Sequence, residues 1–163
     1  MMIRRICAVA AVLLPILAAR AANLPEVQEG LWEIHSQGIE NPGNKKTDFT
    51  HKLCRDHAYD RAALSMVKNM KGCTSTIEIL GGGKFSADSH CTIAGTAVVS
   101  KGIATYQSAT STHSETHTTY APAFAGKTDE VLIQDQKYVG SCPAGMKPGD
   151  QMGADGTVQH HDR

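Results

Sequence analysis

The chain has 163 residues, with 16 Lys and Arg balanced by 16 Asp and Glu, and only 5% of its residues are aromatic. It has no basic cluster, which argues against nucleic acid as a partner and gives no polybasic signal for a membrane surface. Five cysteines become four once an N-terminal leader carrying Cys7 is removed, and an even count in an exported chain reads as a disulfide framework.

Residues 1–21 read as a secretory signal peptide. Arg4 and Arg5 form the basic start, Ile6 to Leu17 the apolar run, and Ala19-Arg20-Ala21 a cleavage site with small residues at the required positions. The apolar run is shorter than the ~20 residues that span a bilayer, so no transmembrane anchor is expected after cleavage. Cleavage after Ala21 removes Cys7, Arg4, Arg5 and Arg20. The 142 residues that follow carry 13 basic and 16 acidic side chains, and four cysteines: Cys54, Cys73, Cys91 and Cys142. A length of that order suits one domain.

Gly30-Leu31-Trp32-Glu33-Ile34-His35 reads as a first strand, with Trp32 as a core anchor on the face it shares with Ile34. The cluster Asn41-Pro42-Gly43-Asn44 is a turn, and Thr47 to Leu53 a returning strand that ends at Cys54. A helix is expected from Arg55 to Lys71. Asp56 caps its start, and Tyr59, Ala62, Ala63, Met66, Val67 and Met70 form one apolar stripe, with Gly72 beyond the end.

Cys73 to Cys91 reads as a hairpin. Pairing Leu80 with Lys84 leaves Gly81-Gly82-Gly83 as the loop and sets Cys73 opposite Cys91. The apolar residues Ile77, Ile79, Phe85 and Ala87 then share the cysteine face, while Thr74, Thr76, Glu78, Asp88 and His90 share the other. A slip of one residue would set apolar against polar and part the cysteines. A Cys73–Cys91 disulfide is therefore expected, which leaves Cys54–Cys142. The helix stripe is expected to pack on the apolar hairpin face. The glycines lack the Lys-Ser/Thr and helix of a phosphate cradle.

Three further strands are expected, at about Thr96–Tyr106, Thr112–Tyr120 and Glu130–Ser141, giving about seven in all. Residues 143–163 read as a flexible tail, rich in Gly, Pro and Asp, after a single domain over 22–142. The expected fold is mainly β (α+β): a curved antiparallel sheet with one packed helix and two disulfides.

These features together resemble a known pattern. The signal segment, Gly30-Leu31-Trp32-Glu33-Ile34, Cys54 before a helix, the Cys73/Cys91 hairpin and Gly140-Ser141-Cys142-Pro143 are similar to bacterial domain-of-unknown-function family 3617, small exported proteins. The resemblance implies a periplasmic protein and brings no established activity or catalytic residues.

Candidate chemistry is sparse. On a strand, His113, Glu115 and His117 share one face with neighbours about 6.5–7 Å apart, a donor set that suits zinc or copper. A solvent-facing polar strand is the simpler reading. His160-His161 with Asp162 is a second donor group, in the tail. Met66 and Met70 are accounted for by the helix stripe. Asp56, His57 and Ser65 lack a nucleophile elbow, and Cys54 is taken by its bridge. No catalytic residue and no cofactor is expected. The leading expectation is a non-enzymatic binding module for a small apolar ligand or another periplasmic protein. Gly30-Leu31-Trp32 resembles the opening of lipocalin-like barrels, which suggests a calyx. A metal-binding protein built on His113, Glu115 and His117 is the second reading, and a hydrolase or isomerase without a visible motif the third.

Overall fold

Strand alternation, turn glycines and one capped helix generate a nine-stranded antiparallel sheet, and the computed structural model describes residues 24–160 of it. The strands are β1 (Gly30–Asn41), β2 (Lys45–Arg55), β3 (Cys73–Gly81), β4 (Lys84–Ile93), β5 (Thr96–Ser108), β6 (Ser111–Phe124), β7 (Lys127–Gly140), β8 (Gln151–Met152) and β9 (Val158–Gln159), with helix α1 (His57–Lys68) between β2 and β3. Their order across the sheet is β3-β4-β5-β6-β7-β1-β2-β8-β9. The order is linear, so the sheet is open and does not close into the expected calyx. The signal-peptide reading of residues 1–21, with Cys7, and the tail residues His161 and Asp162 lie outside the described residues.

The hairpin register holds from Cys73↔Cys91 through Ile79↔Phe85 and then shifts by one, so that Gly81, not Leu80, pairs with Lys84. The loop is therefore two residues, Gly82-Gly83, rather than three. Both have positive φ, +60° and +75°, as a two-residue turn matching strand twist requires. Both disulfides form: Cys73–Cys91 with Cα atoms 4.0 Å apart, and Cys54–Cys142 with Cα atoms 5.6 Å apart.

Helix α1 is shorter than expected and behaves differently. Asp56 accepts from the Tyr59 N–H at 2.6 Å and caps the start, but Asn69 and not Gly72 ends it. No α1 residue is buried, so the stripe meets the hairpin only loosely, along β3. The connection from β2 to β3 has to pass five intervening strands, and a helix stretched across that span meets β3 only at its end. There Ser75 Oγ donates to the Val67 carbonyl at 3.2 Å.

The core is small and sits where β1, β2 and β7 meet. Leu31, Trp32, Ile34, Leu53 and Cys54 are buried there, with Val27 of the lead-in. Trp32 Nε1 donates to the Gln28 carbonyl at 2.8 Å. Tyr138 meets the indole edge-on at 6.3 Å, and the Arg55 guanidinium lies 5.1 Å from the ring centroid. Arg55 also holds Asp60 at 2.9 Å and Gln136 at 3.0 Å, so α1 is anchored at its first turn. His57 adds a second tie, its Nε2–H donating to the Val27 carbonyl at 2.9 Å. That bond, helped by the Glu26 and Glu29 charges, raises the His57 pKa above its ordinary value.

The segment after Cys142 is docked as far as residue 160, rather than free as its composition suggested. Cys54 N–H donates to the Asp150 carbonyl at 3.0 Å and Gly149 N–H to the Cys54 carbonyl at 2.7 Å. β8 then pairs with β2, and β9 with β8. The buried Asp150 carboxylate accepts from Lys147 N–H at 2.7 Å and faces His160 Nδ1 at 2.9 Å. These two short strands raise the count from the expected seven to nine.

The two bridges differ in span, 88 residues for Cys54–Cys142 and 18 for Cys73–Cys91. In the chain-entropy account the longer loop stabilises more, by about 4–5 kcal/mol against about 3. Urea unfolding of the C54A/C142A variant is expected to show the larger loss. Equal losses in the two double variants would contradict the assignment of the long bridge as the principal staple.

Candidate functional site

Residues directly opposite one another in a sheet project to the same side. Following the registers across the sheet sorts the chain into two faces. The face beneath α1 carries Trp32, Ile34, Leu53, Tyr138, Tyr106 and Phe85. Toward the middle this helix face turns small and polar. The buried Ser36 accepts from Gln134 Nε2 at 3.0 Å, and Ser100 and Thr118 hydroxyls bond at 2.9 Å.

The far face is charged. Its registers place Asp88↔Lys101↔His117 in one row, Ser86↔Ile103↔Glu115 in the next, and Thr105↔His113↔Asp135↔His35 in a third. Across β4, β5 and β6 these rows line a hollow of about 640 Å³. Ile103 is its one large apolar side chain and is half exposed. A smaller hollow of about 190 Å³ adjoins it, lined by Glu33, His35, Asp135 and Lys137 among others. The His113–Asp135 pair, at 2.7 Å, is the ridge between the two.

The three candidate metal ligands line the large hollow but do not converge. His113 and His117 are four residues apart on one strand, which is about 13 Å at strand rise. One ion cannot bridge that span through two imidazoles, since zinc–nitrogen bonds are about 2.0–2.1 Å. Each histidine instead faces a carboxylate: His113 Nδ1 faces Asp135, and His117 Nε2 faces Glu115 at 2.7 Å. Among the described residues no group of three or more His, Cys, Asp or Glu is placed to hold a metal ion. The four cysteines are bridged, and Trp32 is fully buried in the core. Met66 and Met70, assigned to core packing, are instead exposed.

Asp88, Lys101 and Asp135 were missed as hollow residues by the sequence reading. The signal that finds them is parity. With Ile93 and Thr96 flanking the Ala94-Gly95 turn, Asp88 falls opposite Lys101, and Lys101 opposite His117.

A tight charge network outside the hollow lies on the helix face, at the β6–β7 end. Tyr120 Oη and Lys127 Nζ each donate to the Glu130 carboxylate at 2.6 Å, and Lys127 lies 3.7 Å from Glu40. Burial, with the Glu130 hydrogen bond, pushes the Tyr120 pKa up to about 12. Burial works against ionised Glu130, yet its bonds from Lys127 and Tyr120 hold its pKa below the ordinary value. The donors and acceptors of this group answer one another, which makes it a clamp on the β6–β7 turn. Within the large hollow, Thr105 lies opposite His113 in the ladder, and among the described residues neither its hydroxyl nor that of Ser86 is hydrogen-bonded to a histidine as a nucleophile–base pair would be.

The model of the family described as "Protein of unknown function (DUF3617)" matches residues 27–142, and the chain belongs to that family. No curated protein matches the chain.

The split of the histidines has a direct readout. Calorimetric titration with zinc is expected to show no stoichiometric site that is lost in the H113A/H117A variant. A tight one-to-one site removed by that double substitution would contradict the geometry.

Proposed function

We propose that this member of the DUF3617 family is an exported, periplasmic, non-enzymatic binding protein, and that the far-face hollow takes a small polar ligand. The observation that carries the reading is the lining of the 640 Å³ hollow: Asp88, Lys101, His113, Glu115 and His117 surround a single exposed isoleucine, Ile103. A volume of this size is in the range of small-molecule sites. A lining of this kind offers both charges, and a fatty ligand would cover the charged ends of Asp88 and Lys101 without answering them. A zwitterionic or hydroxyl-rich molecule answers them better. The apolar-ligand expectation required a calyx, and the open strand order provides none. Export is supported by the Arg4-Arg5 start, the apolar run to Leu17 and the Ala19-Arg20-Ala21 site, together with four cysteines joined in two bridges.

Native mass spectrometry of protein expressed with its own leader tests both halves. The expected mass is that of the chain cleaved after Ala21, with both disulfides and an added small polar ligand that D88A/K101A no longer retains. A bare chain, or a retained fatty ligand indifferent to D88A/K101A, would overturn the binding reading. An uncleaved leader would overturn export.

A further inference from the structure

The two edges of the sheet are unlike. β9 is two residues long, too short to template another chain. β3 is nine residues long, Cys73–Gly81, with Glu78 as its only charge and no Lys or Pro. Sheets usually blunt such an edge with exactly those residues or with a bulge, and the only irregularity in β3 falls at its turn end, between Ile79 and Gly81.

The backbone groups that face outward can be named. A Cα separation of 4.0 Å marks Cys73–Cys91 as a non-hydrogen-bonded pair. The odd residues Cys73, Ser75, Ile77 and Ile79 therefore turn their N–H and C=O away from β4. Two bonds agree: Cys73 N–H goes to the Met70 carbonyl at 3.1 Å, and the even-numbered Gly72 carbonyl accepts from Thr92 N–H at 2.9 Å. Ser75, Ile77 and Ile79 are left as a row of donors and acceptors with no backbone partner among the described residues. Apolar surface flanks the row. Ile79 is 44% exposed, Leu80 53%, and, on the adjoining helix, Val67 42% and Met66 68%.

We propose that β3 pairs with β3 of a second copy of this chain, antiparallel about Ile77. That register sets Ile77 against Ile77 of the other copy and Ser75 against Ile79, so all three outward residues on each strand find partners. It brings Ile79 beside Val67, whose carbonyl holds Ser75 at 3.2 Å. It also sets Glu78 against Thr76, so the carboxylates are not directly opposed. A register centred on Ser75 would set Ile77 against Cys73, whose N–H is already taken, and one centred on Ile79 would run the partner past Gly81 into the turn. The two-fold leaves both helices on one side of a continuous sheet, and leaves the far-face hollow open.

Sedimentation of the exported chain, with both disulfides formed, over a wide concentration range tests this. A reversible dimer is expected. Ile79→Lys, a change at an exposed position, is expected to abolish it. Thr76→Lys places an ammonium opposite Glu78 of the other copy, twice per dimer, and is expected to tighten association by roughly 2- to 30-fold. A monomer throughout, or a dimer on which either substitution has no effect, overturns the proposal.

Discussion

The indole of Trp32 joins segments that lie far apart in the chain. Its ring is enclosed by Leu53 of β2 and Tyr138 of β7 across the ladder, and its N–H holds the lead-in at Gln28. Arg55, above the ring, passes the constraint to Asp60 in α1 and Gln136 in β7. One residue below Leu53, Cys54 adds a covalent tie to Cys142 and two backbone bonds to the docked tail. Removing the indole would open a cavity where β1, β2, β7 and the lead-in share a core, and truncations of that size cost about 3–5 kcal/mol.

Away from that corner apolar burial is sparse. Only seven apolar side chains are buried among the described residues, so the ladder and the two bridges carry more of the structure than they would in a layered domain. This sparse burial explains how the faces can differ. The helix face supplies the anchor and the small polar interior around Ser36 and Thr118, while the far face is free to display charge. The Cys73–Cys91 bridge then does for β3 and β4 what Trp32 does for the opposite end, because no core reaches them.

The hairpin was legible in the sequence because period-2 alternation and two cysteines independently demand one register, and a slip violates both. Its loop was misjudged by one residue because three consecutive glycines tolerate several turns, and only the shift at Ile79/Gly81 selects among them. The helix stripe was real as a pattern, but burial depends on what the helix crosses, and strand order is a long-range property that spacing does not carry. The tail failed for a related reason: Gly, Pro and Asp content describes a segment's own preferences, not the open edge of β2 that receives it. For the candidate site, His113, Glu115 and His117 were correctly placed on one face, but ligation was assigned without the 13 Å that four strand residues impose. Asp88 and Lys101 needed the β4–β5 register to be seen beside them.

The central claim is that the corner around Trp32 and the wide sheet stand or fall together. As the only tryptophan in the chain, Trp32 reports on that corner alone, while far-UV circular dichroism reports on all nine strands. Following both signals through one urea titration is the most direct measurement. A blue-shifted native emission and two transitions with a common midpoint are predicted. A native emission typical of solvated indole, or a fluorescence change complete before the sheet signal falls, would contradict the account.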